Sequence, residues 1–78
     1  MSITVYSKKG CMNCEKLKML LTRKKINFIE NQDMNQIMEI AKQNSFSSIP
    51  IMEVKHEEVN KYFQYDDSVK YVSQIIAN

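Results

Sequence analysis

Apolar positions change their period several times along this chain, and each change marks an element. Ile3 and Val5 alternate with Thr4 and Tyr6, all good strand formers, so residues 2–6 are expected to form a strand. Ser7-Lys8-Lys9-Gly10 is polar and reads as a loop. Its Gly10, the only glycine, permits an unusual backbone turn directly before Cys11. From Met12 to about Lys25 the period becomes helical. Cys14, Leu17, Leu20 and Leu21 share one stripe, and Glu15, Lys16, Lys18, Thr22 and Arg23 share the opposite face.

Asn27-Phe28-Ile29-Glu30-Asn31 reads as a second short strand. The segment between the two strands is long enough for a crossover helix, which gives a right-handed, parallel βαβ unit. Asp33 is the expected N-cap of a second helix ending near Asn44, with Met34, Ile37, Met38 and Ala41 at helical spacing. Asn44-Ser45-Phe46-Ser47-Ser48 is a polar loop carrying one aromatic residue. Pro50 to Val54 reads as a third strand, with proline at its first position, where no ladder donor is needed. Lys55-His56-Glu57-Glu58 is the expected turn, although it lacks the Gly or Asn of a favoured hairpin. Val59 to Phe63 is then a fourth strand, antiparallel to the third. Asp66-Asp67 is expected to cap a last helix that buries Val69, Val72, Ile75 and Ile76. The order is β-α-β-α-β-β-α, an α/β fold.

Bulk composition narrows the function. With 78 residues the chain is expected to be one domain, spanning 1–78. The longest apolar run, Met19-Leu20-Leu21, is far too short to cross a membrane. No basic-then-apolar leader pattern opens the sequence, so a cytoplasmic protein is expected. Residues 1–25 carry seven bases (Lys8, Lys9, Lys16, Lys18, Arg23, Lys24, Lys25) and one acid, Glu15, whereas the remainder is acidic. This is either a solvated helix face or a basic rim that favours a thiolate and attracts anions. The charge shows no interleaved aromatic residues that would stack bases, so nucleic acid is not an expected partner. Most of the six methionines lie on apolar stripes and are expected to fill the core. Met12, between the cysteines, is the exception.

The two cysteines, Cys11 and Cys14, carry the chemistry. Residues three apart on a helix are neighbours, so these thiols can close a disulfide within one turn. So small a loop restrains the unfolded chain little, which argues against a structural staple. If Met12 opens the helix, Cys11 lies at its N-terminus. There, unpaired N–H groups and the dipole favour a thiolate. Cys14, one turn in on the apolar stripe, should be more buried. The asymmetry makes Cys11 the attacking thiol and Cys14 the resolving one. The alternative is a metal site. Tetrahedral zinc wants four ligands, and the chain offers one cysteine pair and one histidine, His56, in a polar turn. A CxxC that follows a strand and opens a helix favours redox chemistry.

The whole chain resembles the glutaredoxins and, more broadly, the small thioredoxin-fold redoxins. Three stations carry the likeness in family order. Val5 to Cys14 is similar to the strand, lysine loop and CxxC, Ser48-Ile49-Pro50 to the Thr-Val-Pro motif, and Tyr65-Asp66-Asp67 to the start of the last helix. The resemblance implies a four-stranded mixed sheet of order 2-1-3-4 flanked by three helices. It also implies a cis Pro50 facing the cysteines, with Ile49 offering backbone groups to a substrate. It implies disulfide substrates, no bound cofactor or metal, and glutathione as co-substrate. Lys8, Tyr65 and Asp66 would contact glutathione, with Met12 and Asn13 beside it, and the protein would act as a monomer. Two stations depart from the usual pattern. Met12-Asn13 replaces Pro-Tyr between the cysteines, and Phe63-Gln64 replaces Gly-Gly before the last helix. Small glutaredoxin-like donors that serve ribonucleotide reductase share this fold and length. They are recharged by thioredoxin reductase, a flavoprotein, and provide the alternative reading; a non-catalytic iron–sulfur or zinc binding module is a third, against which the retention of both cysteines argues.

Overall fold

The computed structural model describes residues 1–75, and of Ile75 only the backbone. Its elements are β1 (Ser2–Tyr6), α1 (Met12–Arg23), β2 (Ile29–Asn31), α2 (Met34–Asn44), β3 (Ile51–His56), β4 (Val59–Phe63) and α3 (Tyr65–Ile75). They form one four-stranded sheet of order β2-β1-β3-β4. β1 runs parallel to β2 and antiparallel to β3, and β4 is antiparallel to β3. The expected α/β architecture and strand order are therefore present.

Two cores flank the sheet. On one face Ile3, Val5, Met52 and Val54 pack against Leu17 and Leu21 of α1 and Val72 of α3. On the other, Tyr6 and Ile51 pack against Ile37 and Ile40 of α2. The stripe expected for α1 holds, with Cys14, Leu17 and Leu21 buried. Complete burial of a leucine stabilises by roughly 1.5–3 kcal/mol, so α1 is held mainly by this stripe rather than by propensity.

Several boundaries differ from expectation. α1 stops at Arg23 because Lys25 turns left-handed at φ 60 and the Ile26 N–H closes on the Leu21 carbonyl at 2.9 Å. This spends Asn27 and Phe28 on returning to the sheet, and β2 pairs only from Ile29, opposite Thr4. Pro50 lies just outside β3, which runs on to His56. Only Glu57 and Glu58 turn the hairpin, with Glu57 at φ 57 taking the place a glycine would favour. α3 begins at Tyr65, so Asp66 and Asp67 are not its cap. They lie within its first turn, where their charge complements the dipole. Ile76 lies outside the described residues.

The methionine expectation fails. Met52 is buried, but Met1, Met12, Met19, Met34 and Met38 are exposed. On α2 the buried side is the narrow stripe of Ile37 and Ile40 with Ala41 beside it, and Met34 and Met38 fall on its flank.

Register gathers four segments at one end of the sheet. Tyr6, the last residue of β1, pairs with Ile51, the first of β3, and Phe63, the last of β4, pairs with Met52. The loop from Ser7 to Cys11, the Ser48–Pro50 segment, and Gln64 with the start of α3 therefore all leave the same edge. β2 also ends there, at Asn31 beside Tyr6.

Candidate functional site

Cys11 is the N-cap of α1. Its backbone is extended (φ −94, ψ 110) and its carbonyl accepts from the Glu15 N–H at 3.2 Å. Its sulfur takes the place of a serine or aspartate oxygen, accepting from the Cys14 N–H at 3.1 Å. Gly10 supplies the preceding turn at φ 77. Cys11 and Cys14 are joined as a disulfide with Cα atoms 5.2 Å apart. Cys14 is 0% exposed on the apolar stripe, whereas Cys11 is half-exposed and Met12 is 73% exposed. Lys8 and Lys9 are exposed in the preceding loop.

That loop is tied down from beneath. Ser7 is completely buried; its N–H donates to the Asn31 carbonyl at 3.0 Å and its hydroxyl to Glu30 Oε2 at 2.6 Å. Lys18, one turn beyond Cys14, donates to the same Glu30 oxygen at 2.7 Å and pairs with Glu15 at 2.7 Å. The ammonium of Lys18 first, and then the Ser7 hydroxyl, hold the Glu30 carboxyl below its ordinary value. The bonds to Glu15 and Glu30 raise Lys18 in turn. Ser7, Lys18 and Glu30 thus connect β2, the cysteine loop and α1.

Across the sheet end the Ile49–Pro50 bond is cis; Pro50 is buried and Ile49 half-buried. Beside them opens a cleft of about 600 Å³ whose wall includes Asn13, Ser48, Gln64, Tyr65, Asp66 and Lys70. The cleft brings Asn13, Tyr65 and Asp66 of the expected site together. Lys8, Met12, Ile49 and Pro50 do not line it. No group of three or more His, Cys, Asp or Glu among the described residues is placed to hold a metal ion. No helix among them is long and apolar enough to cross a membrane.

The glutaredoxin family model matches residues 3–59, from β1 through both cysteines and the cis proline into β4. The chain belongs to the glutaredoxin family. Its fold is the thioredoxin-like one. NrdH-redoxin from Escherichia coli, described as a glutaredoxin-like protein with a thioredoxin-like activity profile, superposes with a TM-score of 0.76. The superposition covers 96% of this chain and 95% of that one at 14% sequence identity, so the likeness bears on the fold. No curated protein sequence matches the chain.

The glutaredoxin frame here contains polar contacts that the sequence did not disclose. Ser7 and Glu30 are 23 residues apart, and Gln64 reaches Ser48 across 16. A third set lies on the α2 face of the sheet. The half-buried Glu53 carboxylate accepts from Tyr6 at 2.8 Å, Asn60 at 2.9 Å and Tyr62 at 3.1 Å. Burial, and then this bond to Glu53, push the Tyr6 phenol well above its ordinary value. The signal for these sets was a polar residue inside a strand or next to one. Its partners were not identifiable until the sheet register was known.

Proposed function

We propose that the protein is a glutaredoxin-like thiol–disulfide oxidoreductase acting through the Cys11/Cys14 dithiol. The observation that carries this reading is the asymmetric pair at the start of α1. Cys11 is half-exposed with an N–H aimed at its sulfur, and Cys14 is buried one turn inside. In the reduced protein that N–H and the helix terminus stabilise a Cys11 thiolate, the species that attacks a disulfide. Cys11 Sγ bonds to one substrate sulfur. The substrate S–S bond breaks, and the departing thiolate takes a proton from solvent. Cys14 gives up its proton and attacks Cys11 Sγ, closing the Cys11–Cys14 bond and releasing the second substrate thiol. Two electrons and two protons have then passed to the substrate, and an external thiol or flavoprotein must return them.

Substrate docks at the common sheet end. The Ile49 backbone, outside the β3 ladder that begins at Ile51, offers hydrogen-bonding groups to an extended segment beside the substrate cysteine. Pro50 supports that edge. Met12 gives an exposed apolar contact at the attacking sulfur. In the glutathione reading, Asn13, Tyr65 and Asp66 line the binding cleft and Lys8 draws in a carboxylate.

A second reading is a protein-specific donor, for example to ribonucleotide reductase, recharged by a thioredoxin-reductase-type flavoprotein. The Gln64 side chain in the cleft wall favours it, because it occupies space that Gly-Gly leaves open. The likeness in fold to NrdH-redoxin agrees with it. The test is to supply the oxidised protein with glutathione plus glutathione reductase, or with thioredoxin reductase, and follow NADPH consumption. Turnover only with the first supports the glutathione reading, and turnover only with the second supports the protein-specific donor. Reduction by neither, together with no reduction of insulin disulfides by the dithiol form, would overturn the oxidoreductase reading.

A further inference from the structure

Gln64 is fixed at both ends. Its carbonyl accepts from the N–H of Ser68 at 2.8 Å and from its hydroxyl at 2.6 Å, and Ser68 is completely buried. The root of the side chain is therefore anchored in the first turn of α3. The amide at its tip then crosses the sheet end. Its Nε2 donates to the Ser48 carbonyl at 2.6 Å and also contacts the Ser48 hydroxyl at 3.2 Å. Ser48 immediately precedes Ile49. One side chain thus ties the start of α3 to the segment that carries the Ile49 backbone. The groups it joins share a cleft with Asn13, which lies between the cysteines.

This link matters because of how the segment is otherwise held. Residues 45–50 lie between α2 and β3. The α2 end is fixed by the Ser45 and Phe46 N–H groups on the Lys42 and Ala41 carbonyls, and the β3 end by the sheet register at Ile51. Ser48 lies between these anchors and is exposed. An unsupported stretch there would have to lose backbone freedom each time a substrate docked, which lowers affinity.

We propose that Gln64 is a positioning residue for protein disulfides: by holding Ser48 it pre-orders the Ile49 edge on which the substrate backbone docks. It does not touch the reacting sulfurs. The inference rests on the oxidoreductase reading, and it deepens that reading by naming what the site requires of a substrate. Extended polypeptide around the disulfide uses this edge. A small disulfide without a peptide backbone does not.

The test compares wild type with Gln64→Glu and Gln64→Met, each close in size and unable to donate to the Ser48 carbonyl. Both are assayed with insulin and with hydroxyethyl disulfide, under dithiothreitol as reductant. The loss of one or two ordinary hydrogen bonds should raise KM for insulin about three- to tenfold, leaving kcat within about twofold. Rates with hydroxyethyl disulfide should stay within about twofold of wild type. Equal slowing with both disulfides would assign Gln64 a merely structural role, and unchanged insulin kinetics would remove its role altogether; either overturns the proposal. Cys11→Ser keeps the two readings separable. If it stays active on insulin, the oxidoreductase mechanism fails whatever the Gln64 variants do, and this inference fails with it.

Discussion

Ser7→Ala probes the support beneath the cysteine loop. The substitution removes one hydroxyl that is completely buried and donates to Glu30 at 2.6 Å. A hydrogen bond to an ionised acceptor contributes about 1.5–3 kcal/mol. The Glu30 side chain is 33% exposed and keeps its Lys18 partner, so solvent compensates part of the loss. The expected cost is about 1–2 kcal/mol. A chain of 78 residues has roughly 4–12 kcal/mol in total, so the loss should be plain in a urea titration followed by circular dichroism. Pairing with Lys18 and Ser7 lowers Glu30 from its ordinary 4.5. Stability from this carboxylate is then present above its unfolded value and is lost as pH falls through the depressed folded value. The Ser7→Ala cost should therefore be largest at neutral pH and shrink as acid protonates Glu30 and a charged acceptor becomes a neutral one. Unchanged stability at pH 7, or a cost that does not depend on pH, would refute the assignment of Ser7 as a donor to an ionised Glu30.

Two further outcomes are expected. Ser45 closes α2 in the left-handed region at φ 57, and Phe46 N–H completes the cap on the Ala41 carbonyl at 2.8 Å. Ser45→Gly should therefore stabilise by about 0.5–1 kcal/mol, read as a higher urea midpoint at unchanged slope. Reduced Cys14→Ser, which leaves Cys11 as the one thiol, should titrate below the free-cysteine value of ~8.5 when followed by thiolate absorbance. A value at or above that would remove the helix-terminus argument.

The fold was legible because each buried stripe was written in one period. Leu17 and Leu21 with Cys14 fixed which face of α1 meets the sheet, and the alternation of Ile3 and Val5 did the same for β1. Helix ends were less legible. Glycine, the usual mark of a left-handed residue, occurs once, yet Lys25, Ser45 and Glu57 all adopt that conformation. The resulting tight return after Lys25 is why β2 is shorter than its strand-forming residues suggested. Met34 and Met38 misled because i, i+4 spacing marks a helical row without saying whether that row is the buried one. At the site, the cysteine pair and the aspartates in the first turn of α3 were visible in sequence, and the cis Pro50 was implied by the family resemblance. The bonds from Gln64 to Ser48 and from Ser7 to Glu30 were not legible, because each joins partners that only the sheet register brings near.

The proposed mechanism turns on which cysteine attacks. Cys14→Ser and Cys11→Ser proteins, reduced and then mixed with a protein disulfide, can be read by intact mass. Cys14→Ser should accumulate a covalent adduct through Cys11 that dithiothreitol releases, while Cys11→Ser should form none, its remaining thiol being buried. An adduct on Cys11→Ser and none on Cys14→Ser would contradict the assignment.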